Sequence, residues 1–258
     1  MEFTLLGAAA LGVGAMWAAV RLLDRDGSLS DVAPRPFDAL LGAAIAGLVV
    51  GRLWAMVAQG TNPLTNLPDV ILVRAGVDTV GASLAALATL TWTYRHHLPQ
   101  ALDAVTVPAI VGLAGWHAGC LVRGTCGGTT TDLPWAVIGP GGVGRQPVEV
   151  YAALGLAVVA AVLWRWWRRG AAPGAVASAG VFGAAFVRLA TEPLRLHLGG
   201  GLAVPYAVAA GLGLVGALVA ELRQRSVAPQ AEPDQDRHQL ADGEEQPDRD
   251  DGDHRRDP

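Results

Sequence analysis

The stretch VEVYAALGLAVVAAVLWRW, Val148–Trp166, holds almost nothing polar between a glutamate near its start and an arginine near its end. A hydrocarbon core of roughly 30 Å takes about 20 helical residues to cross, so the stretch reads as a membrane span. Working outward, six further apolar stretches of similar length are found, near Thr4–Leu23, Phe37–Ala58, Ala75–Tyr94, Ala101–Val122, Ala175–Ala190 and Leu202–Leu222. Pro173 and Gly174 precede the sixth span in chain order, and Arg188 lies near its far end, so that span is the least regular. Together the stretches leave little sequence for a water-soluble domain. The expected fold is all-α, a polytopic membrane protein of about seven transmembrane helices with an outward-facing polar cavity.

Composition agrees. The chain is 52% hydrophobic and 16% charged, with 33 glycines, and a soluble domain of this length ordinarily carries more charge. Small residues crowd the spans, as in Gly7–Gly14 and Gly211–Gly216, and let helix backbones approach closely where no water drives them together. All 19 basic side chains are arginine. Residues 226–258 carry 11 acidic and 4 basic groups, a net −7 against −4 for the whole chain, which leaves +3 on residues 1–225. That tail, with Pro229, Pro233 and Pro247 and few apolar side chains, has too little to bury to fold. Two domains are expected: a transmembrane body, 1–225, and a disordered acidic tail, 226–258.

Met1-Glu2 offers no basic n-region and no small-residue cleavage site follows, so a removable signal peptide is not expected. Arginine bias sets the orientation. With the N-terminus outside, the inner segments collect Arg21, Arg25, Arg35, Arg95, Arg165, Arg168, Arg169, Arg223 and Arg225, against Arg74, Arg123, Arg145 and Arg195 outside. Nine against four favours an external N-terminus and a cytoplasmic C-terminus. Trp164, Trp166 and Trp167 then fit an aromatic belt at the inner interface.

On that topology the outer face gathers the unusual residues: a loop with Asn62, Asn66 and Asp69, a longer one from Arg123 to Pro147, and Glu192-Pro193-Leu194-Arg195-Leu196-His197. Inside the spans lie Arg52, Asp78, His117 and Arg188. Charge at membrane depth costs several kcal/mol and normally faces the bundle interior or a wet cavity. These groups and the rim arginines therefore define a cationic cavity, whose natural ligand is a lipid phosphate, since arginine presents a planar fork of donors to phosphate oxygens. The alternative is pairing that serves packing only, such as Asp78 with Arg52 or Arg188. Arg188 and Glu192 share a helix face if the sixth span continues that far, and Pro193 then ends it.

Both cysteines fall in Gly119-Cys120-Leu121-Val122-Arg123-Gly124-Thr125-Cys126. An external disulfide is feasible, as are inert thiols, a redox pair, or an open zinc site with His117. Without a paired Cys-x-x-Cys spacing the metal reading is weak, and neither metal nor cofactor is expected. No basic stripe on a soluble domain suggests nucleic-acid binding, and no repeated broken helices suggest a secondary transporter.

Thr131-Asp132-Leu133-Pro134-Trp135-Ala136-Val137 and Arg145-Gln146-Pro147-Val148-Glu149-Val150-Tyr151 resemble the outer loop of prolipoprotein diacylglyceryl transferases. Gly51-Arg52-Leu53 looks like that family's Gly-Ala-Arg-Leu segment, and Phe186-Val187-Arg188-Leu189-Ala190-Thr191-Glu192-Pro193-Leu194-Arg195 is similar to its Phe-Arg-x-x-x-Glu-x-x-Arg motif. The resemblance covers about residues 1–222. It implies a bacterial plasma-membrane transferase of lipoprotein biosynthesis. Such an enzyme moves diacylglyceryl from phosphatidylglycerol to the lipobox cysteine thiol of a preprolipoprotein and releases glycerol phosphate. Arg188 would then clamp phosphate or act catalytically, with Glu192 orienting it. Arg52 and Arg145 would complete the cationic pocket and Tyr151 would line it, with Arg123 and Arg195 on its rim. The sequence also departs from the family. His117 stands at the position of an arginine, Cys120 at that of an asparagine and Thr125 at that of a glutamate, while Gln146 replaces a histidine. The family's His-Gly-Gly aligns with Val80-Gly81-Ala82, so His117, ordinarily titrating near neutrality, is the candidate base. The alternative is a homologue that lost the chemistry and binds anionic lipid as a membrane assembly protein.

Overall fold

The computed structural model describes residues 2–63, 76–124, 126–196 and 201–227. Residues 228–258 of the expected tail, and the loop residues Asn66, Asp69 and Arg74, lie outside them. The helices are α1 (Glu2–Leu23), short α2 (Ser28–Val32), α3 (Pro36–Ala58), α4 (Thr79–Thr93), α5 (Leu98–Ala118), short α6 (Cys120–Arg123), α7 (Val148–Trp167), α8 (Ala175–Thr191) and α9 (Ala203–Val227). Each expected span finds its helix. Six of them, α1, α3, α5 (continued through α6), α7, α8 (continued to Leu194) and α9, are long and apolar enough to cross a membrane. The protein is a multi-pass membrane protein.

The third expected span differs. Its helix begins at Thr79, not Ala75, because Asp78 caps it: the carboxylate accepts a hydrogen bond from the Gly81 amide at 2.6 Å, with Asp78 in extended backbone. Fifteen residues remain, about 22 Å of helix, less than a full crossing. A carboxylate at an N-cap satisfies amides that have no intrahelical partner, so Asp78 has a structural use.

The helices pack through small residues where no hydrophobic force operates between them. On α1 and α5, a Cβ added to Gly115 would lie 2.8 Å from the Leu11 carbonyl oxygen, and one on Gly119 would lie 2.5 Å from Ala8 Cβ. In α3, a Cβ on Gly51 would lie 2.7 Å from the Asp78 carbonyl oxygen of the α4 cap. Gly213 of α9 abuts the Phe182 amide of α8 in the same way, at 2.5 Å. Large apolar side chains such as Trp92 (73% exposed) and Leu212 (69% exposed) point away from the bundle, as lipid allows.

α5 is central. It contributes Ala101, Ala104 and Val105 to one buried cluster with Met16, Leu29 and Leu40, and Val107, Ile110 and Ala114 to a second with Leu156, Leu163 and Val176. Near its start the buried Asp103 accepts from the Gly174 amide at 2.6 Å and the Ala177 amide at 2.7 Å. One helix thereby caps the N-terminus of another.

The chain divides into the units Met1–Glu221 and Leu222–Pro258. In the second, the described residues continue α9, where Ser226 Oγ donates to the Arg223 carbonyl at 2.8 Å.

Between α6 and α7 the structure adds what periodicity did not predict, a small antiparallel sheet. Its strands β1 (Gly127–Thr130), β2 (Val137–Ile138) and β3 (Gly144–Pro147) lie in the order β1-β3-β2. Arg145 sits opposite Thr130 on one side and Val137 on the other. The strands are too short, and too rich in glycine, to show alternating hydrophobicity. Gly141 and Gly142 turn the chain at φ 81° and 72°, a backbone region that favours glycine.

Candidate functional site

At the sheet end of the bundle, Glu149 in the first turn of α7 holds two hydrogen-bond partners. His117 Nδ1, from the last turn of α5, lies 2.5 Å from Glu149 Oε2, and Arg195 Nη1 donates to Oε1 at 2.6 Å. His117 is 6% exposed, and the Glu149 and Arg195 side chains are largely buried. Each carboxylate oxygen thus has its own hydrogen-bond partner, with Arg195 supplying the counter-charge, the arrangement that makes a buried charge tolerable.

Arg195 lies just beyond a 3₁₀ turn, Glu192–Leu194, that follows α8. Arg188 and Glu192 therefore do not share one unbroken helix, because α8 ends at Thr191 before Pro193. The buried Glu192 accepts from the Leu202 amide at 2.7 Å through Oε1, and its Oε2 lies 3.8 Å from Arg195 Nε. Arg188 instead donates from Nε and Nη2 to the Tyr206 hydroxyl at 3.3 and 3.2 Å, its guanidinium 5.4 Å from the ring centre.

Arg145 donates from Nη1 to the Gly128 carbonyl at 3.2 Å. Gly128 itself lies directly against Leu194, so the sheet and the segment carrying Arg195 are one packed unit. Tyr151 belongs to the wall of this unit. Its hydroxyl donates to Gln146 Oε1 at 3.0 Å and accepts from Trp135 Nε1 at 2.6 Å, while Gln146 Nε2 donates to Thr131 Oγ1 at 3.2 Å. The motif residues Thr131, Trp135, Gln146 and Tyr151, spread over two loop segments, thus form one chain of hydrogen bonds.

Among the described residues, several buried guanidinium nitrogens have no hydrogen-bond partner: Arg145 Nε, Arg188 Nη1 and Arg195 Nη2. An unmet buried donor costs about 1–3 kcal/mol, more for a charged group. Three of them at one end of the bundle provide donors for an anion.

Arg52 belongs to a different helix from these donors. It is buried in α3 and donates from Nη1 to the Gly76 carbonyl at 2.9 Å, beside the hydrogen bond from the Asp78 amide to the Gly51 carbonyl. Arg123 closes α6; its side chain is not among those described. Cys120 and Cys126 form a disulfide, both buried. It takes both thiols from the zinc alternative and ties the end of α5–α6 to the start of β1.

The opposite end of α1 and α3 holds a cleft of about 520 Å³ lined by Trp17, Arg21, Asp24, Arg25, Arg35 and Asp38, among others. It is separate from the Glu149 cluster.

Reading the motifs missed Glu149 and Tyr206. For Glu149 the signal was present, a carboxylate in the first turn of an apolar span, where a charge at membrane depth requires a partner. Tyr206 carries no such signal.

A bundle of apolar helices, capped at one end by a sheet and an arginine-rich cluster, defines a multi-pass membrane protein. The family model for prolipoprotein diacylglyceryl transferase matches residues 2–221, and the chain belongs to that family. Among its relatives is the phosphatidylglycerol–prolipoprotein diacylglyceryl transferase of Chlamydia trachomatis, 30% identical over 176 residues, 62% of this chain and 64% of that protein. The protein of the same name from Ruegeria pomeroyi is 30% identical over 185 residues, 64% of this chain and 63% of that one. That from Cupriavidus necator is 25% identical over 203 residues, 70% and 74% of the two chains. The chain spans a little under two thirds of the length of the first two relatives.

Proposed function

We propose that this chain is a transferase that moves diacylglyceryl from phosphatidylglycerol to the lipobox cysteine of a preprolipoprotein. The names of its relatives support the substrates. The observation that carries the reading is the set of buried guanidinium donors on Arg145, Arg188 and Arg195 without protein partners among the described residues. They stand at the same end as a histidine with a carboxylate on one ring nitrogen.

In the reaction, the thiol gives its proton to His117 and the sulfur attacks the glyceryl carbon that bears the phosphate. A C–S bond forms and the C–O bond breaks. Its electron pair leaves with the phosphate oxygen as glycerol phosphate, to which the proton is finally delivered. Charge grows on that oxygen as the bond breaks, and preorganised donors stabilise it most in a water-poor site. Arg188, Arg145 and Arg195 hold the phosphate, Glu192 steadies Arg195, and Tyr151 lines the entrance. Arg52 and Arg123 add positive potential around the site. The arginine distribution supports an orientation with this end and the N-terminus outside the bacterial plasma membrane and the C-terminus and acidic tail in the cytoplasm.

A second reading, an anionic-lipid-binding homologue without chemistry, is favoured by one observation, that Val80-Gly81-Ala82 stands where the family carries His-Gly-Gly. In vitro transfer from labelled phosphatidylglycerol to a lipobox peptide decides between them. The expected result is lipidated peptide with the wild type, with loss in His117→Ala and in Arg188→Ala. Phosphatidylglycerol binding without peptide lipidation establishes the second reading.

A further inference from the structure

An ionised carboxylate has no hydrogen to donate. Glu149 is held in that state by the Arg195 guanidinium, 2.6 Å from Oε1. The contact between Oε2 and His117 Nδ1 at 2.5 Å therefore needs its hydrogen on Nδ1. In a neutral imidazole that leaves Nε2 with a free lone pair. We propose that Glu149 is a positioning residue, holding His117 in the Nδ1–H tautomer so that Nε2 receives the thiol proton. The proposal rests on the transfer reaction above and gives a role to a residue to which the resemblance assigned none.

The same carboxylate does a second thing. Its other oxygen holds Arg195, whose Nη2 is one of the buried donors available to phosphate. Base and phosphate clamp are thus fixed to one side chain on the rigid first turn of α7, 46 residues in sequence from Arg195 and 32 from His117. Precise placement of this kind converts binding into rate, because a general base acts only within hydrogen-bond reach of the proton it takes.

The charged groups around the pair are few. Arg195 meets it directly, and Glu192 stands behind Arg195 at 3.8 Å. Arg188 on α8 turns to Tyr206, and Arg145 on β3 turns to the Gly128 carbonyl. β1, which packs against α7, carries no charge. Among the described residues, removing the Glu149 charge thus removes the carboxylate that contacts His117.

The test has two arms. In the resting full-length protein, ¹⁵N-histidine NMR in phosphatidylglycerol-containing micelles reads the tautomer of His117, its signal identified by its loss in His117→Asn. Nδ1–H is expected, and Nε2–H overturns the proposal. In turnover, Glu149→Gln is expected to lower kcat on the order of 10²-fold. In the same variant the Nδ1–H tautomer of His117 should lose its dominance in the histidine spectrum. In a His117→Ala background the same substitution should cost much less, only what a weaker hold on Arg195 takes, because the base it positions is already gone. An equal loss in both backgrounds, or an unchanged His117 tautomer in Glu149→Gln, assigns Glu149 to structure and overturns the proposal. Absence of transfer by the wild type overturns the functional reading, while the tautomer, read on the resting protein, still decides the placement of His117.

Discussion

Gly128 of β1 lies against the backbone of Leu194 so closely that a Cβ there would stand 2.1 Å from the Leu194 carbonyl oxygen and 2.3 Å from Val148 Cγ2. This contact seats the small sheet on the segment that carries Arg195 and on the start of α7. Gly128→Ala should therefore push the sheet off the cluster, at a cost of about 1–3 kcal/mol or more from overpacking, and reduce transfer at the same time. Gly127→Ala should be much milder, because its nearest neighbour is the flexible Arg145 side chain at 3.0 Å. Thermal unfolding in detergent, beside the transfer assay, compares the pair.

Arg188 presents its guanidinium edge to the Tyr206 hydroxyl with one nitrogen still unmet. Arg188→Lys keeps the charge and loses the planar fork. Binding of phosphatidylglycerol vesicles should weaken about tenfold or more, the loss expected for a hydrogen bond to a charged group. Tyr206→Phe keeps the ring beneath the cation and should weaken binding less. A lysine variant that binds as tightly as the wild type removes Arg188 from the phosphate site.

Asp103 tests stability away from the chemistry. Its carboxylate satisfies the Gly174 and Ala177 amides at the start of α8. Asp103→Ala should cost about 2 kcal/mol, the upper range for loss of a helix cap. Transfer per folded molecule should be unchanged, because the residue sits near the start of α5, far along the helix from His117. Unfolding measured together with specific activity checks both halves.

The cysteines supply a test of sidedness. With both thiols in the disulfide, the wild type should resist maleimide until it is reduced and denatured. An added cysteine at Ile138, 75% exposed on β2, should react with a membrane-impermeant maleimide on intact cells. Labelling only after the cells are opened reverses the orientation drawn from the arginines.

The helices were legible because hydropathy is a property of each segment alone: a run of about 20 apolar residues meets lipid the same way whatever its neighbours do. Expected and observed ends agree closely for α3 and α7. They part at α4, where one capping carboxylate, Asp78, decides the start. The chemistry-bearing arginines were equally visible, since charge inside an apolar run stands out. Their partners were not. Glu149 meets His117 across 32 residues and Arg195 across 46, and such pairings depend on how each helix is rotated and where its last turn ends. Pro193 stops α8 in time to send Glu192 toward Arg195 and leave Arg188 to Tyr206. Sequence by itself determined which segments enter the membrane and which charges go with them. Only the tertiary structure decided which charge faces which, because ion pairs form between surfaces whose register is set by packing.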